Sequence, residues 1–334
     1  MAGILGTSGA GGNARGKSCT RPEGWDEDWV EDKDKIKVML HSISVDVEEY
    51  FHAANLQHAA PPAAWHRLPQ RVVSSTERTL EIFAKHNVRA TFFILGYIAQ
   101  RHPALIRRIF DAGHEIASHG YSHRLAFSQT PKQFLRDVKR SKALLENITG
   151  SRVLGYRAPN FSIQKENSWA YDALLEAGYI YDSSLYPTWH PRYNNSRQTV
   201  DNFLLTRSSN VSAGTGKLFI FPLAVLKIPG GLRLPAAGGA YWRLLPQSYC
   251  ASVLRAIDRM NGRAFHCYFH PWELDADQPV FTSLSMANTF RHYAGAKSFE
   301  HRLEYFLKTF SFSSVREVGL QIFGNEFAAA LVGK

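Results

Sequence analysis

From Lys37 onward, short apolar runs of period two alternate with stretches whose apolar residues recur every three to four positions, the mark of strands followed by helices. Strands are predicted at 38–47, 90–95, 115–118, 153–156, 180–182, 218–222, 264–269 and 312–315. Helices are predicted at 74–87, with a capping box at Ser74 and Glu77, and at 103–112, 131–148, 167–177 and 246–260; three open with proline, and glycine stands at or near most of their ends. Repeated strand-then-helix units fit an α/β fold with a largely parallel sheet, either closed as a barrel or open and doubly wound. Both place a site at the carboxyl ends of the strands. Residues 187–245, rich in Pro, Gly, Asn and aromatics, interrupt the pattern and read as an elaboration over one mouth of the sheet. Residues 1–35 read as a poorly ordered tail, because the Gly, Ser and Ala of the first 20 positions bring too little apolar surface to offset their ordering entropy.

Composition narrows the setting. The chain has 334 residues, 45% hydrophobic and 13% aromatic, enough to bury one large core or two modest ones. No apolar run approaches the roughly 20 residues of a membrane span. The first residues lack the basic and apolar regions of a signal peptide, so a cytoplasmic location is expected, with membrane association only through a biosynthetic complex. Three cysteines, Cys19, Cys250 and Cys267, form neither a disulfide framework nor a Cys-x-x-Cys metal motif. The net charge of +10 is spread along helix-like segments with no run of five or more basic residues, which argues for a solvated surface and against a nucleic-acid partner.

Candidate chemistry gathers where strands end. Alternation along the first strand puts Ser44, Asp46 and Glu48 on one face, two carboxylates aimed at one cavity. His119 and His123 follow the strand 115–118; on a helical turn, their i, i+4 spacing lets both imidazoles reach one ion. Such a pair arises readily by chance among 14 histidines, and it gains weight from standing at the same rim as the carboxylates. Two histidines and a carboxylate with open positions make a catalytic site for a divalent metal. His270, last on its strand, is then the general acid for a departing amine. Arg157, with Pro159 fixing the backbone beside it, seeks an anion, Asp46 if buried, or forms an exposed salt bridge. Asp182 either orients His270 or Arg157 or caps a turn with Ser183 and Ser184. A backbone N–H near Tyr121 is a candidate donor into the site, and Phe161, Tyr241, Trp242 and Trp272, aromatics near loops, serve either ligand stacking or simple packing.

Five stretches in order, Ser-Val-Asp-Val-Glu-Glu-Tyr (44–50), Ser-His-Gly-Tyr-Ser-His (118–123), Gly-Tyr-Arg-Ala-Pro (155–159), Tyr-Asp-Ser-Ser (181–184) and His-Cys-Tyr-Phe-His-Pro (266–271), resemble the polysaccharide deacetylases of carbohydrate esterase family 4, which share the NodB homology domain. The resemblance implies a distorted (β/α) barrel of about seven strands over residues 36–275 and a metal-dependent hydrolase that removes acetyl groups, chiefly N-acetyl from amino sugars, from a bacterial polysaccharide or its precursor. Zinc is the expected ion, with Co2+, Ni2+ and Mn2+ as alternatives. It implies Asp46 as base, Arg157 as its orienting partner, His119 and His123 as ligands, His270 as acid, and a substrate site including Tyr121 and Pro159. Val47 stands where the family has a second, metal-binding aspartate, so Glu48 is the expected third ligand; Tyr268 replaces the leucine of Leu-x-His. The phrases at 46–52, 238–243 and 269–273 resemble a subgroup from exosortase-associated exopolysaccharide loci with an extra C-terminal segment, here 276–334, expected to pack on the same domain. A small-molecule amidohydrolase of the allantoinase type and a non-catalytic carbohydrate-binding protein are the competing expectations.

Overall fold

The structure, a computed structural model, describes residues 39–190, 193–207, 216–260 and 263–333; the predicted tail at 1–35 lies outside the described residues. Seven parallel strands run side by side: β1 (His41–Val47), β2 (Thr91–Ile94), β3 (Glu115–Ser118), β4 (Gly155–Tyr156), β5 (Tyr181–Asp182), β7 (Lys217–Ile220) and β8 (His266–Phe269), in the spatial order β8-β1-β2-β3-β4-β5-β7. The antiparallel β6 (Phe203–Thr206) flanks β7, and β9 (Phe312–Ser313) pairs with the start of β1. Every residue of β1, β2, β3 and β8 is buried, as expected of parallel strands covered on both faces.

Between β7 and β8 the ring is bridged by irregular backbone. The Ala224 N–H donates to His266 O (2.9 Å), and residues 237–239 run along β8 through Tyr268 N to Ala237 O (2.7 Å) and Gly239 N to Tyr268 O (2.9 Å). Gly238 permits this approach: its φ is +114°, and a Cβ there would lie 2.0 Å from Tyr268 O. A distorted barrel is the result, as its sequence implies.

Predicted helices appear at Val72–Lys85, Pro103–Asp111, Pro131–Thr149, Trp169–Glu176 and Gln247–Asp258. The Ser74/Glu77 capping box does not form. Ser74 lies inside the helix with its hydroxyl on Arg71 O, and the carboxylate of Glu49, brought from the end of β1, accepts the N–H groups of Arg71 and Val72 instead. β6 has no counterpart among the predicted strands; its residues are only partly buried, so the apolar alternation that marks the inner strands is weak there. After β8, helix Ala296–Thr309 buries Phe299, Leu303 and Phe306 in the main core, and Phe327 of helix Asn325–Val332 packs on Phe219 and Phe221. Among the described residues no helix is long and apolar enough to cross a membrane.

Candidate active site

Asp46 and Glu48 leave the carboxyl end of β1 on the same side, and each is 2% exposed. Arg157, one residue past β4, has no exposed surface. Its Nη1 donates to Asp46 Oδ1 (2.7 Å) and Ser44 Oγ (2.8 Å), its Nη2 to Ser183 Oγ (2.9 Å) and its Nε to Ser183 O (3.1 Å). A buried ion pair is costly unless its remaining donors find partners, and these do. Arg157 therefore fixes one carboxylate oxygen of Asp46.

Glu48, His119 and His123 offer ligand atoms that all lie within 4.8 Å of one another. No helical turn joins the two histidines; Gly120 (φ +76°) and His123 (φ +55°) take left-handed backbone, and this folds the loop back so that both rings converge. His119 Nδ1 lies 2.8 Å from Arg157 O, a group that can only accept, so Nδ1 carries the proton and Nε2 the lone pair. Burial pushes His119 down to about 4, which keeps the ring neutral, as ligation requires. Burial alone would raise Glu48, but the charges of His123 and His270 outweigh it and hold the carboxyl well below the usual range. Its Oε2 sits 2.8 Å from His123 Nε2, yet it is buried without an aligned hydrogen-bond donor. An anionic oxygen short of donors, grouped with the neutral imidazole of His119, fits a divalent cation.

His270 directly follows β8, with Nε2 3.5 Å from Glu48 Oε1 and Nδ1 3.3 Å from Glu273 Oε2. Burial alone would depress this imidazole; Glu48, followed by Glu273, outweighs it and raises the group to about 9. The ring stacks on Trp272 (4.9 Å, 17°), whose Nε1 donates to Glu48 Oε1 (3.3 Å). A cavity of about 450 Å³ opens above, walled by Phe161, Tyr186, Tyr241, Tyr268 and Trp272, with His270 and Glu48 on its lining. Among the described residues four non-glycines have left-handed backbone, and three, His123, Asn160 and Phe161, stand here. For a residue as bulky as Phe161 this costs on the order of 1–3 kcal/mol, and such strain concentrates at functional sites.

The other predicted site residues distribute unevenly. Phe161, Tyr241 and Trp272 line the cavity; Trp242 does not, being 1% exposed, stacked on Phe306 (4.2 Å, 21°) and donating its Nε1 to Ala236 O (3.0 Å). An aromatic next to glycines reads as a loop residue in sequence; here it is core. The Tyr121 N–H donates to Asp137 Oδ2 (2.8 Å), not toward the cavity, and its ring packs under the Arg140 guanidinium, so no oxyanion donor is found there. Pro159 is buried behind the loop. Asp182 bonds Ser184 through its N–H (2.9 Å) and hydroxyl (2.5 Å), the turn-capping alternative, while the neighbouring Ser183 holds Arg157. Sequence reasoning missed Glu273, Arg243 and His292. Glu273 carried one signal, its place three residues after His270 in His-Pro-Trp-Glu, and Arg243 another, as the last residue of the phrase at 238–243; His292 carried none.

Residues 67–179 match the polysaccharide deacetylase family model, and residues 183–319 match a model described as a domain of unknown function (DUF3473). A Helicobacter pylori peptidoglycan deacetylase is 31% identical over 128 residues, 37% of this chain and 43% of that one. Listeria monocytogenes peptidoglycan-N-acetylglucosamine deacetylase PgdA is 25% identical over 141 residues, 40% of this chain and 30% of that one. The chain thus spans less than half the length of these relatives. A solved Mycobacterium smegmatis structure, assigned to the polysaccharide deacetylases, superposes with a TM-score of 0.57 at 21% identity, covering 86% of this chain and 91% of that one, and shares the fold.

Proposed function

The chain carries a polysaccharide deacetylase domain and belongs with that family, and on that premise we propose that it is a metal-dependent hydrolase removing N-acetyl groups from amino sugars of a bacterial exopolysaccharide or its precursor. One observation carries the reading: the imidazoles of His119 and His123 converge with the carboxylate of Glu48, and Glu48 lines the same cavity as His270, with Asp46 leaving β1 on the side of Glu48. When held by Glu48, His119 and His123, a divalent cation, zinc in this reading, supplies Lewis acidity toward water and the acetyl carbonyl.

The protein's own groups do the rest. Asp46, fixed by Arg157 and free of other work, takes the proton of the attacking water. His270, whose Nδ1 faces the Glu273 carboxylate, gives a proton to the departing sugar nitrogen. Aromatic walls offer flat faces to pyranose rings. Those walls favour a carbohydrate over the small acid of an allantoinase-like enzyme, and the presence of all five polar groups argues against a purely binding role.

Acetate release from N-acetylglucosamine oligomers and exopolysaccharide fragments tests this reading. Turnover is expected in metal-supplemented buffer, to vanish with chelator and to return when metal is restored. Undiminished release in excess chelator would sink the metal-dependent mechanism.

A further inference from the structure

We propose that the region matched as a domain of unknown function builds the acid half of the active site, with Glu273 as the positioning residue of His270 and Arg243 as the tie that locks Glu273 to the helix Met286–Tyr293. This rests on the deacetylase reading above. His119, His123 and Arg157 fall within residues 67–179, whereas His270, Glu273, Arg243 and His292 all fall within 183–319.

A histidine at a strand end has two free torsions, and β8 by itself cannot say which ring nitrogen faces the site. Glu273 decides it. Its Oε2 accepts the His270 backbone N–H (3.1 Å) and faces ring Nδ1 (3.3 Å), which leaves Nε2 toward Glu48. Trp272, stacked between His270 and His292 (4.7 Å, 17° to the latter), sets the ring plane. Glu273 can play this part only as an acceptor on both oxygens, and its other oxygen takes Arg243 Nε at 2.7 Å in a pair that is 2% and 1% exposed. Burial alone would raise this carboxyl; Arg243 overrides burial and holds it at about 2.

Arg243 reaches further. Its Nη1 donates to the carbonyls of His292 (3.0 Å) and Ala294 (2.7 Å) and its Nη2 to that of Arg291 (3.1 Å), satisfying carbonyls that the end of helix Met286–Tyr293 leaves open. Gly295 (φ +79°) lets the chain pass; a Cβ there would lie 2.5 Å from Arg243 O. From helix Ala296–Thr309, Arg302 Nη1 in turn donates to the carbonyls of Trp242 (2.8 Å) and Leu245 (2.8 Å). A continuous set of hydrogen bonds, buried at the Arg243–Glu273 pair, thus runs from that helix to the general acid. Removing the outer partner of a metal-ligating histidine typically costs 10- to 100-fold, and a loss of the same order is expected for the partner of the acid.

Glu273→Gln keeps the shape and loses the second acceptor. On an N-acetyl amino-sugar amide, whose leaving nitrogen needs a proton, kcat is expected to fall about 10- to 100-fold with KM within about twofold. On 4-nitrophenyl acetate, whose leaving group needs none, the variant should stay within about threefold of wild type. Metal content should be unchanged. Equal losses on amide and ester, or an unchanged amide rate, would overturn the proposal. Should Glu273→Gln fail to fold, Glu273→Asp, which keeps a carboxylate for Arg243, is held to the same amide-to-ester ratio. Independently of any substrate, the downfield proton of His270 Nδ1–H in NMR spectra should be present in wild type and lost in Glu273→Gln; its survival in the variant would also overturn the assignment. Wild-type turnover of the amide judges the deacetylase reading, while the variant ratio and the proton resonance judge Glu273.

Discussion

Asp46 owes its orientation to a guanidinium with no exposed surface and four buried acceptors. Asn in its place keeps an oxygen for Arg157 but cannot take a proton. Asp46→Asn is expected to retain one metal per chain by elemental analysis while acetate release drops about 100- to 10,000-fold; near-wild-type turnover would show that another group is the base. Glu48→Gln should do the reverse of this, losing metal first, because its carboxylate is the charged member of the ligand set. Equal metal content in Glu48→Gln and wild type after dialysis would remove Glu48 from the site. Strand alternation identified both acids because they share a face of one strand. Trp242 shows the limit of the same reasoning: its neighbour Phe306 is 64 positions along the chain, and no local pattern distinguishes a sugar platform from a core stack.

Glu49 works on an element rather than a site. Facing away from Glu48, it accepts the N–H groups of Arg71 (2.9 and 3.0 Å) and Val72 (3.0 Å) at the start of helix Val72–Lys85. Burial nevertheless raises its carboxyl from 4.5 to about 7. An acid whose pKa is higher folded than unfolded contributes stability that is complete below about pH 4.5 and lost as pH rises to about 7. Glu49→Gln cannot ionise, so wild type should lose on the order of 3 kcal/mol relative to it across that window. Urea unfolding at both ends of the window checks this, and parallel curves would refute the buried-carboxyl account. Helix Pro131–Thr149 is capped locally, with Thr130 Oγ1 accepting from Gln133 N (3.3 Å) and Gly150 closing it at φ +70°. All five predicted helices lie within two residues of their observed bounds. The cap of the helix at 72–85 was misread as Ser74 because it comes from Glu49, 22 residues before Arg71 and just past β1.

Across the whole molecule, the residues after β8 are built into both the core and the site. Phe299, Leu303 and Phe306 are buried, each worth about 1.5–3 kcal/mol of burial, and Arg243 ties helix Met286–Tyr293 to Glu273. A chain ended after residue 275 is therefore expected to lose cooperative thermal unfolding and to aggregate, rather than persist as a smaller active enzyme; a sharp melting transition with retained acetate release would contradict this. The amino-acid order by itself determined the alternation of strands and helices, the rim at which the candidate groups gather and the face shared by Asp46 and Glu48, since periods of two and 3.6 follow from backbone geometry alone. Tertiary structure alone decided the partners: Arg157 with Asp46, 111 positions apart, Arg243 with Glu273, and the left-handed loop that brings His123 to Glu48. Burial and hydrogen bonding are properties of neighbours assembled by sheet order, and that order is not written in any local period.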